Sequence, residues 1–256
     1  LSIRSVTDEE VAIFQENGWV RLRSLVDTQT VAALLQLAEE KMAAEKTART
    51  YGNAVDRSFR DFPGIDRNAP LARDVTLAPV MGRSMARMLG VRNVRVLIDG
   101  FLVKMPERQG AHAETVFHQD FPGHPVDRSG FLTVWLALHD MPVDAGLVQF
   151  YNRSHTQGSH GWVFADGVDL RRRCTGLKTA DLSLPAAMKG GDATLHHSLT
   201  VHGAAPNVTA DNRWAYTVIY MDPDTRYNGA QGEFRGSKVA PYAVLDQAEF
   251  PLVPMS

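Results

Sequence analysis

Phe131-Leu132-Thr133-Val134-Trp135-Leu136-Ala137-Leu138-His139 alternates Leu132, Val134, Leu136 and Leu138 with Thr133, Trp135, Ala137 and His139. A period of two belongs to an extended strand, whose successive side chains leave opposite faces. The leucine and valine face can enter a core while the other meets something more polar, and a buried site can sit there. Outward from this strand, the chain from about Val91 is a series of short β-rich segments separated by Gly, Pro, Asn and Asp. That texture is the one a sandwich or barrel of antiparallel strands leaves in a sequence. Further strands are expected at Val94 to Ile98, Phe101 to Met105, Leu147 to Tyr151, Ala193 to His197 and Trp214 to Met221.

The first ninety residues look helical. Thr7-Asp8-Glu9-Glu10 has the spacing of a capping box, Val11, Ile13 and Phe14 follow it, and Asn17-Gly18 can close the helix in the left-handed conformation. A strand is expected over Trp19 to Leu25. Asp27 can cap a second helix running to about Lys46, with Val31, Leu34, Leu35 and Ala38 on one face. A third is expected from Thr76 to Leu89, stopping at Gly90. With no linker-like stretch or repeat, residues 1–256 are expected to form a single domain. It would have a helical part over about 1–90, a β-rich core over about 91–225 and an extension or lid over 226–256.

Apolar residues make up 44% of the chain and charged ones 22%, enough for a substantial core. Twenty-seven basic and 29 acidic residues, spread along the chain, leave a net charge of −2 and no field to hold a polyanion or an acidic membrane surface. Nucleic-acid and membrane partners are therefore not expected. The basic run Arg171-Arg172-Arg173 has the look of a solvated loop. Cys174 is the sole cysteine, which excludes an intrachain disulfide and a thiolate-rich metal site and fits a reducing, cytoplasmic setting. Leu1 to Glu10 lacks the basic-then-apolar pattern of a targeting segment.

The strongest chemical signal is Phe117-His118-Gln119-Asp120-Phe121. At a strand end, residues two apart project to the same side, so His118 and Asp120 can reach one ion while Gln119 points away. Alone, His-x-Asp is more often a surface or hydrogen-bonded pair than a metal site. A third ligand must come from elsewhere, and Leu195-His196-His197-Ser198-Leu199-Thr200-Val201-His202-Gly203 offers several histidines. Two histidines and a carboxylate on one face of an octahedron leave three positions open, the arrangement associated with oxygen-activating ferrous iron. Arg213 follows a turn-rich stretch containing Gly203, Pro206, Asn207, Asp211 and Asn212 that suits a hairpin. Returned beside the ion, its guanidinium can grip the distal carboxylate of a dicarboxylic keto acid whose other end chelates the metal.

These pieces belong to a longer order. It begins with Thr7-Asp8-Glu9-Glu10 and Glu16-Asn17-Gly18-Trp19-Val20, and runs through Leu102-Val103-Lys104-Met105-Pro106 and His118-Gln119-Asp120 to Val134-Trp135-Leu136-Ala137-Leu138. Arg153-Ser154-His155, Gly191-Asp192 and His202-Gly203 follow, with Pro206-Asn207 and Arg213 after them. In that order and spacing the chain resembles the phytanoyl-CoA dioxygenase family of iron(II)/2-oxoglutarate oxygenases, from near its start to about Met221. The resemblance implies a mainly β fold with flanking helices, the double-stranded β-helix or cupin-like jelly roll. It also implies that His118, Asp120 and His202 bind Fe(II) as the catalytic centre and that Arg213 pairs with the far carboxylate of 2-oxoglutarate. Trp135 and Thr115 would line that cosubstrate, and O2 is the second cosubstrate.

Three departures from the family pattern bear on binding. Where relatives often have His-x-Ser, this chain has His202-Gly203-Ala204, so a hydroxyl that commonly helps hold the keto acid is absent, and either another donor replaces it or binding is weaker. The usual Asn-Gly-Cys-Leu is here Ala145-Gly146-Leu147-Val148, and the usual Gly-Ser-His is Arg153-Ser154-His155. Retention of Asp120, where halogenating relatives carry a small residue, argues for oxygen rather than halide chemistry.

Other residues are expected to be structural. His196 and His197 point oppositely on a strand, one packing inside and the other facing pocket or solvent, and neither is expected to bind metal. His139 and His155 are structural, Trp214, Tyr216 and Tyr220 pack strands, and Lys104 is an exposed strand residue. His112 and His124 flank the iron motif and can touch substrate, while Trp135 can equally be core. The expected function is oxidation of a C–H bond of a small molecule, hydroxylation by default, in secondary metabolism such as antibiotic biosynthesis. Oxidative cyclisation, desaturation and epimerisation use the same cofactors. A metal-binding jelly roll without turnover and a zinc hydrolase are the readings from other classes, and Arg213 argues against the second.

Overall fold

The computed structural model describes residues 1–44, 49–50, 59–64, 69–106, 114–161, 169–230 and 239–256. His112 and Lys46 lie outside these residues.

The expected capping box forms. The Thr7 hydroxyl accepts from the Glu10 N–H at 3.1 Å and the Glu10 carboxylate accepts from the Thr7 N–H at 2.8 Å, starting α1 (Asp8–Asn17). Gly18 closes it at φ 79°, and the chain runs straight into β1 (Trp19–Leu22), shorter than expected because Ser24 turns at φ 47°. Asp27 accepts from the Thr30 N–H at 2.8 Å and opens α2 (Thr28–Ala44), whose Val31, Leu34 and Ala38 are buried. Two short strands, β2 (Arg49–Thr50) and β3 (Phe59–Pro63), follow within the part expected to be helical. Their reason lies in pairing, since they form an antiparallel extension on the long edge of a later strand. The expected third helix begins at Pro79 rather than Thr76, as α4 (Pro79–Leu89), and a further helix, α3 (Pro70–Thr76), precedes it. Pro79 has no N–H to donate and holds Ala78 extended at ψ 131°, so no helix passes through.

The remaining strands are β4 (Arg95–Lys104), β5 (Thr115–His118), β6 (Phe131–Ala137) and β7 (Val148–Phe150). After a helical turn α5 (Leu170–Arg173) come β8 (Ala193–His197), β9 (His202–Ala204) and β10 (Arg213–Met221). The two strands expected at Val94 to Ile98 and Phe101 to Met105 are one, because Asp99 and Gly100 stay in register opposite Val218 and Thr217. Among the described residues all pairs are antiparallel, in a seven-stranded sheet β1-β8-β6-β10-β4-β3-β2 and a three-stranded sheet β5-β9-β7. This is the jelly roll flanked by helices.

The alternation in β6 decides the two faces of the large sheet. Leu132, Val134 and Leu136 join Leu195, Trp214, Tyr216, Val218 and Tyr220 in a core closed by α2, α3 and α4 through Leu34, Val75, Met81 and Met85. Each such fully buried side chain contributes roughly 1.5–3 kcal/mol. The opposite face carries Thr133, Trp135, Thr194, His196, Arg213, Thr217, Leu102 and Lys104, and the small sheet lies over it. The described part of the tail is a packed extension. Leu245 and Phe250 pack with Leu97, Phe131 and Met221, and Val253 meets Gly82 of α4, where a Cβ would lie 2.8 Å from the valine Cγ1. No helix among the described residues is long and apolar enough to cross a membrane.

Candidate metal centre

His118 and His202 are direct partners across the β5–β9 pair, so their side chains leave one face of the small sheet with ring centroids 4.3 Å apart. Asp120 is not on the strand. It begins a 3-10 turn at φ −72°, ψ −38°, held where the Phe121 N–H donates to the Ser198 carbonyl at 3.0 Å. The turn, rather than the strand alternation expected from His-x-Asp spacing, swings the carboxylate back to the histidines. Gln119 points away as expected. Its side chain is 1% exposed and clamps the Gly158 and Leu199 carbonyls and the His160 N–H.

Each histidine donates Nδ1–H to a backbone carbonyl two residues earlier, His118 to Val116 at 2.8 Å and His202 to Thr200 at 2.9 Å. Their Nε2 atoms therefore carry the lone pairs, and these face the same carboxylate oxygen: Asp120 Oδ1 lies 3.7 Å from His118 Nε2 and 3.5 Å from His202 Nε2. The three ligand atoms lie within 4.8 Å of one another. Burial keeps both imidazoles below their ordinary pKa, so they are neutral at pH 7. Burial pushes the Asp120 carboxyl up, but the surrounding His202, His196 and His118 outweigh it and hold the group well below the usual carboxylate range. Neutral imidazoles and an ionised carboxylate are the states a metal ligand needs.

The carboxylate's other oxygen is tied elsewhere, to Thr133 at 2.6 Å and to His196 Nε2 at 3.1 Å. His196 thus points inward and is not among the residues whose ligand atoms converge. His197 points the other way, toward His155, with ring centroids 5.7 Å apart. Behind the centre, Phe150 lies 5.5 Å from His196 and 6.1 Å from His202, and stacks on Trp19 at 4.7 Å.

Arg213 is 2% exposed, lies 5.1 Å from the Trp135 ring and donates through Nη1 to the Gly146 carbonyl, while its Nε has no partner. Burial lowers its pKa to about 9, so it remains a cation at neutral pH. No ion pair to it exists among the described residues. A buried cation without a counter-ion is costly, so the site favours an incoming anion. Trp135 is a core residue that packs with Ala137, Met141, Leu147 and Ala215 while its ring meets the guanidinium. Thr115 lies opposite Ala204 at the other end of the β5–β9 pair from His118.

Two expectations fail here. Lys104 is 0% exposed, and its ammonium donates to the Ala205 carbonyl at 2.9 Å and the Ala204 carbonyl at 3.5 Å, because it stands opposite Arg213 on the covered face. The expected hairpin between His202 and Arg213 is absent, because β9 pairs with β5 and β7 while β10 pairs with β4 and β6. The connection instead crosses between the sheets, clipped by buried Asn207, whose Nδ2 donates to the Lys104 carbonyl at 3.0 Å and the Asp211 carbonyl at 2.7 Å. Gly203 is small for a steric reason. A Cβ there would lie 2.7 Å from the Phe117 ring and 2.8 Å from the Thr115 carbonyl oxygen.

Other residues fall largely where expected. His139 accepts from the Trp214 N–H at 3.1 Å, and His124 packs edge-on to Phe131 at 5.4 Å. The arginine run is exposed but forms the helical turn α5 rather than a loop, and Arg171 pairs with Asp169 at 2.7 Å and covers the Phe117 ring at 4.4 Å. The sequence reading missed Thr133, Asp169, which accepts from the Phe117 N–H at 3.2 Å, and the clip at Asn207. Thr133 left a signal as a polar residue in the inward-facing series of β6, and Asn207 as part of the Pro206-Asn207 pair before Arg213.

The family model described as Phytanoyl-CoA dioxygenase (PhyH) matches residues 14–215. Phytanoyl-CoA dioxygenase domain-containing protein 1 of Mus musculus is 27% identical over 161 residues, covering 60% of this chain and 53% of its own length. The chain spans about half the length of the curated relatives it matches. Among solved structures, the non-heme alpha ketoglutarate dependent carbocyclase SnoK from nogalamycin biosynthesis superposes with a TM-score of 0.85 at 27% identity, covering 99% of this chain and 100% of that one. The epimerase SnoN, solved with Fe3+, alpha ketoglutarate and nogalamycin RO, shares the fold at a TM-score of 0.82 and 23% identity over 96% of this chain and 98% of its own.

Proposed function

The chain belongs to the phytanoyl-CoA dioxygenase family, and from that membership we propose that it is an Fe(II)/2-oxoglutarate-dependent oxygenase acting on a C–H bond of a small natural product. The observation that carries the reading is the pair of imidazole lone pairs, on His118 and His202, directed at one oxygen of Asp120. This donor set of two imidazole nitrogens and one carboxylate suits ferrous iron. The buried guanidinium of Arg213, whose Nε has no partner, suits the far carboxylate of 2-oxoglutarate, and Lys104 stands opposite it on the same face.

Iron, 2-oxoglutarate and O2 together supply the oxidising power to remove hydrogen from an unactivated C–H bond, with succinate and carbon dioxide as coproducts. The chain's own work is placement. His118, Asp120 and His202 set the direction of the open positions, Arg213 and Lys104 orient the diacid, and Trp135 and Phe150 exclude water around them. Neither general acid nor general base is required of the protein for hydrogen abstraction. Hydroxylation is the default product. The likeness to the carbocyclase SnoK over the full chain favours a second reading, in which the substrate radical closes a ring instead.

Anaerobic addition of Fe(II) and then 2-oxoglutarate tests the reading. A metal-to-ligand charge-transfer absorption should appear, and air plus an accepted substrate should release succinate. Polyketide and sugar-bearing natural products can then be screened by their perturbation of that band. Absence of the band in metal-loaded protein, or turnover with zinc and no 2-oxoglutarate, would overturn the proposal.

A further inference from the structure

The two oxygens of Asp120 have divided roles. Oδ1 faces the Nε2 atoms of His118 and His202 at 3.7 and 3.5 Å, whereas Oδ2 takes the Thr133 hydroxyl at 2.6 Å and His196 Nε2 at 3.1 Å. Thr133 and His196 are register partners across the β6–β8 pair, so both leave the inner face of the large sheet side by side and reach the turn after β5. An ionised carboxylate oxygen can only accept, so both partners donate. His196 therefore carries its proton on Nε2. Its Nδ1 is buried and has no partner, which leaves Asp120 and packing against Phe150 and the His202 ring, 4.1 Å away, to hold the imidazole.

Resting on the iron reading above, we propose that His196 and Thr133 are positioning residues that hold Asp120 as a one-oxygen ligand. A free carboxylate can bind a metal through both oxygens and so occupy a second coordination position. Donors fixed on Oδ2 oppose this by direction and by drawing charge toward that oxygen. Three positions are then left for a two-point keto acid and O2. The same proton explains why His196, so near His202, is no ligand: the nitrogen turned to the site has no lone pair to give.

The test uses the full chain and compares Thr133→Val and His196→Phe, which keep approximate shape and lose the donor, with Thr133→Ser and His196→Gln, which keep one. Fe(II) affinity is read by chelator competition, and the charge-transfer band and 2-oxoglutarate affinity by anaerobic titration. The donor-free variants should bind Fe(II) roughly 10- to 100-fold more weakly, with a displaced band and weaker 2-oxoglutarate binding, while the serine and glutamine variants recover wild-type values. Wild-type Fe(II) affinity and an unmoved band in Thr133→Val and His196→Phe would overturn the inference. So would loss of iron in His196→Phe with retention in His202→Ala, since His196 would then be a ligand. If His196→Phe does not fold, the valine and serine variants at position 133 decide the question by the same readings. Wild-type protein that binds no Fe(II) sinks the iron reading itself, a result distinct from failure of the variants alone.

Discussion

Arg213 and Lys104 stand directly opposite one another across the β10–β4 pair, both buried, so two basic side chains leave one face of the large sheet at the same level. Lys104 is engaged by the Ala204 and Ala205 carbonyls, whereas Arg213 has an unpartnered Nε and no ion pair among the described residues.

Arg213→Met should therefore leave the thermal midpoint of the ligand-free chain unchanged or raised, because it removes an uncompensated buried charge. The same variant should bind 2-oxoglutarate at least ~30-fold more weakly, since losing one partner of a buried charge pair costs about 2–5 kcal/mol. Thermal shift with and without 2-oxoglutarate measures both, and a wild-type shift in the variant contradicts the assignment.

His118→Ala and Asp120→Ala should abolish the charge-transfer band and turnover. At Fe(II) a hundredfold above the wild-type dissociation constant, wild-type stability should rise by about 2.7 kcal/mol. Neither variant should show that gain in a urea titration under anaerobic conditions.

Gly203→Ala should cost roughly 1–3 kcal/mol, because its Cβ meets the Phe117 ring and the Thr115 carbonyl and must push β9 from β5. Since His202 precedes it on the same strand, Fe(II) affinity should fall with stability. An alanine variant with native stability and metal affinity would mean that the two strands separate freely.

Asn207→Ala should cost about 2–3 kcal/mol. The buried side chain holds Lys104 and Asp211 through Nδ2 and takes the Thr209 N–H and hydroxyl on Oδ1. Because this clip sets the approach to Arg213, 2-oxoglutarate affinity should fall as well, and a stability loss with unchanged affinity would limit Asn207 to a folding role.

Metal-free protein should lose stability as pH falls from about 6.5 toward 4. Burial, aided by His155 and His196, pushes His197 down to about 4, and burial lowers His118 and His202 too. A depressed folded-state pKa means that the unfolded chain takes up the proton first, so the stabilisation is complete above the unfolded value and fades below it. Each histidine contributes at most about 1.4 kcal/mol per pH unit in that window. Denaturant midpoints measured with a chelator present should decline across it, and a flat profile would contradict the assignment of buried neutral histidines.

The fold was legible where periodicity and capping are local. The two faces of β6, the capping box at Thr7 and Glu10, the left-handed stops at Gly18 and Gly90 and the strand Ala193–His197 all follow from neighbours within a few residues. The opposite orientations of His196 and His197 are legible for the same reason. Lys104 was misread because a polar residue near a strand end says nothing about which sheet will cover it. β2 and β3 were missed because their stability comes from pairing with β4, not from their own pattern.

From its sequence alone this chain has its family likeness, its residue types for a metal and a diacid, and the alternation that puts them inside. The tertiary structure alone decides which atoms meet. A turn brings Asp120 to the histidines, and two sheets closing on each other set Thr133 and His196 against its second oxygen and leave Arg213 without a counter-charge among the described residues. Such contacts join residues as far apart in sequence as Asp120 and His202, and a distance that long is governed by sheet closure rather than by any local preference of the backbone.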